Sequence, residues 1–298
     1  MELNMKKTIF KGVATAIVTP LTENGVDYDA FGKLIDWQID SGVNAIVVCG
    51  TTGECSTLTD EEHCAVIEYC VKRVNKRVPV IAGTGSNDTE YAIWLTKQAE
   101  KAGADAALLV TPYYNKTTQK GLIKMFEAIA DATNLPLILY NVPSRTGINI
   151  EPDTYVALSK HPNIVAIKEA NGNISKMVET VSKLNGALDI YSGNDDQIVP
   201  VLAIGGKGVI SVLSNVAPKE TADLCDRFFK GDISGSMALQ SKYNELISLL
   251  FCETNPIPVK AAMAKLGWCE DYLRLPLVPM EDDHRKKLYA EMDRLGIK

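Results

Sequence analysis

A chain of 298 residues, 46% hydrophobic and 23% charged, has ordinary globular composition and room for two small domains or one large α/β barrel with added helices. Its net charge of −6 argues against nucleic acid or an anionic membrane as a main partner. No apolar run reaches bilayer length, and the opening MELNMKKTIFKG lacks the apolar core of a secretory signal.

Eight short apolar runs recur along the chain, over 13–18, 45–49, 78–82, 106–110, 135–140, 164–167, 188–191 and 208–212, each bounded by turn residues. Helical patterns lie between them. Asp29 opens one with Phe31, Leu34, Ile35 and Ile39 on one face, and Gly42 can close it. Thr59-Asp60-Glu61-Glu62 reads as a capping box before Val66, Ile67 and Cys70, and Asn87 to Glu90 offers the same device before the next helix. Further helices fit 121–132, 152–160, 174–184, 197–203 and 218–229, with Pro200 counting against the one that holds it. Strands alternating with helices imply parallel strands and right-handed crossovers, and eight such units close into a (β/α)8 TIM barrel. A doubly wound open sheet fits less well, because the first strand ends in Thr19-Pro20 rather than a Gly-rich phosphate turn. Beyond about residue 230 only helical patterns remain, over 233–251, 258–266 and 282–295. The expectation is a barrel over 1–230 with a helical extension over 231–298 packed on it as one catalytic unit. Seven cysteines, odd in number and without a CxxC pair, read as reduced packing residues of a cytoplasmic protein. His63, His161 and His284 lie far apart, so no metal site is expected.

In a TIM barrel, chemistry belongs to the carboxyl ends of the strands. The sixth strand, in NIVAIKEA, ends in Lys168. That lysine either marks where the strand meets solvent or, if desolvated, is an amine able to form an imine with a carbonyl substrate. Gly50-Thr51-Thr52-Gly53-Glu54 after the second strand is a tight βα turn or a cradle of N–H groups and hydroxyls for a small anion. Tyr140 could move a proton or plug the barrel top, and Arg145 could grip a carboxylate or stand in solvent. The neighbours Tyr113 and Tyr114 suggest an interface. Asp195-Asp196 could hold a metal, yet acidic residues also suit a helix start. Together these ends supply an amine nucleophile, an anion cradle, a phenol and a carboxylate clamp, the inventory of a class I aldolase acting on an α-keto acid without metal or organic cofactor.

GTTGE at 50–54, VTPYYNK at 110–116, LYNVPSRTG at 139–147, IKEA at 167–170, YSGND at 191–195 and GVISV at 208–212 resemble the dihydrodipicolinate synthase family, in order and across essentially the whole chain. The resemblance implies condensation of pyruvate with aspartate semialdehyde. It makes Lys168 the Schiff-base lysine and assigns Thr52, Tyr140 and Tyr114 to a proton relay, with Tyr114 reaching into a neighbouring subunit. Thr51 and Thr52 would hold the pyruvate carboxylate and Arg145 that of the semialdehyde, while the carbonyls of Gly193 and Ile210 would line the pocket. A homotetramer built from tight dimers follows. Related lyases for sialic acid and ketodeoxy sugar acids share the lysine and tyrosine but usually lack an arginine at the position of Arg145. A non-catalytic ligand-binding barrel would be expected to lose Lys168 or Tyr140. The family's lysine-feedback site corresponds to Cys55, Ser56, Asp60, His63, Asn87, Tyr91 and Tyr113. Strongly inhibited members carry histidine where Asp60 stands and glutamate where Tyr91 stands, so feedback here is expected to be weak or absent. Half-inhibition at micromolar lysine would contradict that.

Overall fold

The computed structural model describes residues 6–298. Its centre is a closed parallel barrel of β1 (Gly12–Ala16), β4 (Ala45–Val48), β5 (Val80–Gly83), β6 (Ala106–Val110), β7 (Leu137–Asn141), β8 (Ile164–Glu169), β9 (Asp189–Ser192) and β10 (Gly208–Ser211). A small antiparallel hairpin, β2 (Leu21–Thr22) and β3 (Gly25–Val26), follows the first barrel strand. The eight expected strands are all present with ends displaced by one or two residues, whereas the hairpin is too short for an apolar period to reveal it.

The helices alternate with the strands: α1 (Tyr28–Asp40), α2 (Asp60–Val74), α3 (Thr89–Ala102), α4 (Gln119–Asp131), α5 (Pro143–Thr146), α6 (Pro152–Leu158), α7 (Ile174–Leu184), α8 (Ile198–Ala203) and α9 (Pro218–Phe229). Three more, α10 (Ile233–Leu249), α11 (Ile257–Lys265) and α12 (Asp282–Leu295), complete the chain. Thr59 and Glu62 form the expected capping box. At α3 the cap is instead Asp88 alone, whose carboxylate accepts from the amides of Glu90 and Tyr91. Pro200 sits inside α8 after all, in its first turn, where a proline's missing N–H costs little. The stretch 143–147, read from sequence as loop, contains the one-turn helix α5, with proline at its start and Gly147 at φ 71° closing it.

Two cores follow from the strand period of two. One lies between strands and helices and holds Leu139, Ile167 and Phe31; the other fills the barrel and holds Ile138, Ala166, Tyr191 and Ile210. Near the amino ends of the strands the interior is closed by Phe10 stacked on Tyr191, ring centroids 4.1 Å apart. Because Ala166 points inward and Ile167 outward, Lys168 must point inward and Glu169 outward. The same alternation turns Tyr140 inward and Asn141 outward.

Candidate active site

At the carboxyl face of the barrel lies a cavity of about 650 Å³ walled by Thr51, Thr52, Tyr140, Arg145, Lys168 and Gly193, with Phe251 to Asn255 from the C-terminal region along one side. Lys168 is 6% exposed, and its Nζ stands 4.2 Å from the centroid of the Tyr140 ring. Tyr140 and Lys168 are register partners on adjacent strands, which fixes that approach. Burial lowers the lysine pKa to about 8; the Arg145 charge acts in the same sense and the Asp195 carboxylate opposes it. Burial likewise raises the Tyr140 phenol, against the pull of Arg145 and a hydrogen bond with Thr51.

Thr51–Gly53 form a single 3-10 turn, capped by Glu54 in the left-handed region at φ 56°. Its internal hydrogen bonds begin with the amide of Gly53, so the amides of Thr51 and Thr52 precede them. The resemblance assigned the relay hydroxyl to Thr52, but the hydroxyl bonded to Tyr140 is that of Thr51. The Thr52 hydroxyl is engaged elsewhere, accepting from Asn255 Nδ2 at 3.0 Å. Two consecutive residues on a 3-10 turn diverge in direction, so only one can face the phenol.

Residues far along the chain secure this turn. Lys260 and Glu54, both 0% exposed, form an ion pair at 2.7 Å, and Lys260 also donates to the carbonyl of Thr19 at 2.9 Å. Asn255 lends its carbonyl to Arg145 Nη2 at 2.9 Å. These partners were missed in the sequence, although a lysine set among the apolar residues of NPIPVKAAMA was a cue. Behind Lys168, the outward Glu169 accepts from Asn141, Tyr155 and the Asn171 amide; burial nevertheless raises its pKa to about 7.

The remaining candidates separate. Tyr114, 94% exposed at φ 69°, stands outside the cavity, on the loop beyond β6. Ile210 packs its side chain in the barrel core, and Val212 is the wall residue at that strand. Cys55, Ser56, His63, Tyr91 and Tyr113 do converge, around a second cavity of about 530 Å³ that shares Thr51 and Arg145 with the first. Asn87 is not on its wall but donates to the Tyr113 carbonyl at 3.2 Å, and the Tyr91 hydroxyl donates to Asp60 at 2.6 Å. The Asp195 carboxylate is buried, and Asp196 is exposed. Among the described residues no group of three or more His, Cys, Asp or Glu could hold a metal ion, and no helix is long and apolar enough to cross a membrane.

Comparison with known proteins agrees with this geometry. The model of the dihydrodipicolinate synthetase family matches residues 9–295. A 4-hydroxy-tetrahydrodipicolinate synthase of Alkaliphilus oremlandii is 54% identical over 97% of this chain and 100% of its own length. Another, of Lachnoclostridium phytofermentans, is 56% identical over 97% and 99%. The crystal structure of dihydrodipicolinate synthase from Thermotoga maritima superposes with a TM-score of 0.96 at 43% identity, over 98% of this chain and 100% of that one. A structure described as the first monomeric dihydrodipicolinate synthase variant reaches 0.96 at 43% identity over 97% and 98%. This chain belongs to the dihydrodipicolinate synthetase family.

Proposed function

We propose that this chain condenses pyruvate with L-aspartate 4-semialdehyde to give 4-hydroxy-tetrahydrodipicolinate, in lysine and diaminopimelate biosynthesis, through an imine on Lys168. The observation that carries the reading is a desolvated lysine, with pKa near 8, on the floor of a cavity walled by two threonines, a tyrosine and an arginine. At pH 7 that pKa leaves about one amine in ten neutral, against fewer than about one in a thousand for an ordinary lysine.

The neutral Nζ attacks the ketone carbon of pyruvate, and the carbonyl oxygen leaves as water. The iminium makes the pyruvate methyl acidic, and its lost proton leaves an enamine that attacks the aldehyde carbon. The amine of the semialdehyde then closes the ring and displaces Lys168. Thr51 and Thr52 hold the pyruvate carboxylate, and Arg145 holds that of the semialdehyde at the mouth. Gly193 and Ile210 contribute backbone carbonyls. Protons pass through Tyr140 and its hydrogen-bonded Thr51, and on to Tyr114 supplied by a neighbouring subunit of a homotetramer. The barrel over 1–230 and the helices over 231–298 act as one catalytic unit, for which the Asn255 and Lys260 contacts are the support. The enzyme works in the cytoplasm and needs no cofactor beyond the covalent imine.

The test is to offer pyruvate with either aspartate semialdehyde or N-acetylmannosamine. Consumption of the semialdehyde alone is expected; turnover of the sugar instead would place the chain among the sialic acid lyases.

A further inference from the structure

We propose that Asp195 is a positioning residue that supplies the fixed negative charge facing the Lys168 nitrogen, first as ammonium and then as iminium. The inference rests on the imine reading above. Asp195 follows Gly193 and Asn194, which wall the cavity, and its Oδ2 reaches across to the end of β10. There it accepts from the amides of Val212 at 2.9 Å and Leu213 at 2.8 Å. The Ser211 hydroxyl also donates to the carboxylate, and Gln240 Nε2 donates to the Asp195 carbonyl at 2.8 Å. The group is thereby wedged between two strand ends, and neither its position nor its orientation is free to change.

A carboxylate serving only to join β9 and β10 would be expected to satisfy both oxygens. Here Oδ1 is buried, and among the described residues it has no hydrogen-bond partner. An unmatched buried oxygen of this kind is costly unless a cation answers it. The charged groups acting on Lys168 are Asp195, which favours the cation, and Arg145, which disfavours it. Glu169, next along β8, is turned away onto Asn141 and Tyr155, and Tyr140 presents its ring. On the far side of Asp195, α9 offers the buried, neutral Cys225 thiol. Lys168 is therefore the cation that Asp195 answers.

The reaction gives that charge a purpose. Converting a neutral amine and a ketone into an iminium takes up one proton, releases one water and leaves a positive charge on a buried nitrogen. Arg145, needed for the second substrate, makes that charge harder to form. A fixed anion on the opposite side offsets it without a mobile proton of its own.

Asp195→Asn tests this, because its amide oxygen can still accept from Val212 and Leu213. The readout is the pH dependence of pyruvate trapping on Lys168 by borohydride, followed by peptide mass, alongside kcat/KM for pyruvate. With the anion gone, the acid limb of both profiles is expected to fall by about one pH unit. Asp195→Glu is expected to return it toward the original. A limb that stays in place in Asp195→Asn, with only thermal stability reduced, overturns the proposal and reduces Asp195 to a strand tie. Lack of trapping in the unaltered chain would instead overturn the imine reading on which it stands. Should Asp195→Asn not fold, the unaltered chain carrying 13C-carboxyl aspartate answers the question. One aspartate resonance then shifts through the titration of Lys168 and loses that step in Lys168→Met; absence of such a step overturns the proposal.

Discussion

Lys168 and Arg145 are both cations, yet their surroundings divide their work. The lysine is buried on a strand, where desolvation favours the neutral nucleophile. The arginine is exposed on a one-turn helix at the mouth, held from behind by the Asn255 carbonyl, so its fork is free to meet a carboxylate. Arg145→Ala should therefore lower kcat/KM for aspartate semialdehyde by at least about a hundredfold, the worth of a lost charge-assisted pair. Pyruvate imine formation, read by borohydride trapping, should persist. Equal loss of both would refute the division. At this scale the sequence was informative wherever a strand end carried an unusual residue: Lys168, Tyr140 and Arg145 all reach one cavity. It misled between Thr51 and Thr52, because adjacent identical residues differ only in the turn's backbone direction, which composition does not encode. Asp195 was visible but weighed only as a metal ligand, since the backbone amides that hold it belong to another strand.

Among the elements, the turn after β4 depends most on distant chain. Glu54 takes a left-handed conformation with a side chain buried against Lys260 of α11, and its other oxygen faces the Arg274 amide at 3.5 Å. Such a pair need not add net stability, but breaking it strands a buried charge. Lys260→Met should cost about 3–5 kcal/mol in denaturant unfolding and raise KM for pyruvate through the loosened Thr51–Gly53 turn. A variant as stable as its parent with unchanged KM would show that the pair does not hold the turn. None of this was legible in the sequence, because a pairing across some two hundred residues leaves no local period. Elements with a strong local signal were read closely. The capped α2, the α7 of 174–184 and the α9 of 218–229 are examples. The two-residue strands and α5 escaped because a period needs more than one repeat to register.

For the whole molecule, the closed barrel brings six strand-end segments, dispersed through the sequence, to one rim. The alternation of βα units was legible because each apolar strand is buried on both faces. Assembly is a different matter: Tyr114 projects at 94% exposure from a non-glycine residue at φ 69°. If it completes a partner's proton relay, Tyr114→Phe should lower kcat at least about tenfold while leaving the assembly intact by sedimentation. Dilution of the unaltered enzyme to monomers should lower activity similarly. A fully active monomer would contradict a relay in trans, and one relative is described as a monomeric variant.

The central claim is that pyruvate becomes covalently bound to Lys168. Borohydride reduction in the presence of pyruvate, followed by digestion and mass spectrometry, tests it most directly. The account predicts one reduced pyruvyl adduct on the peptide carrying Lys168, forming more readily as pH rises toward about 8. An adduct on another lysine, or no adduct with pyruvate present, would contradict it.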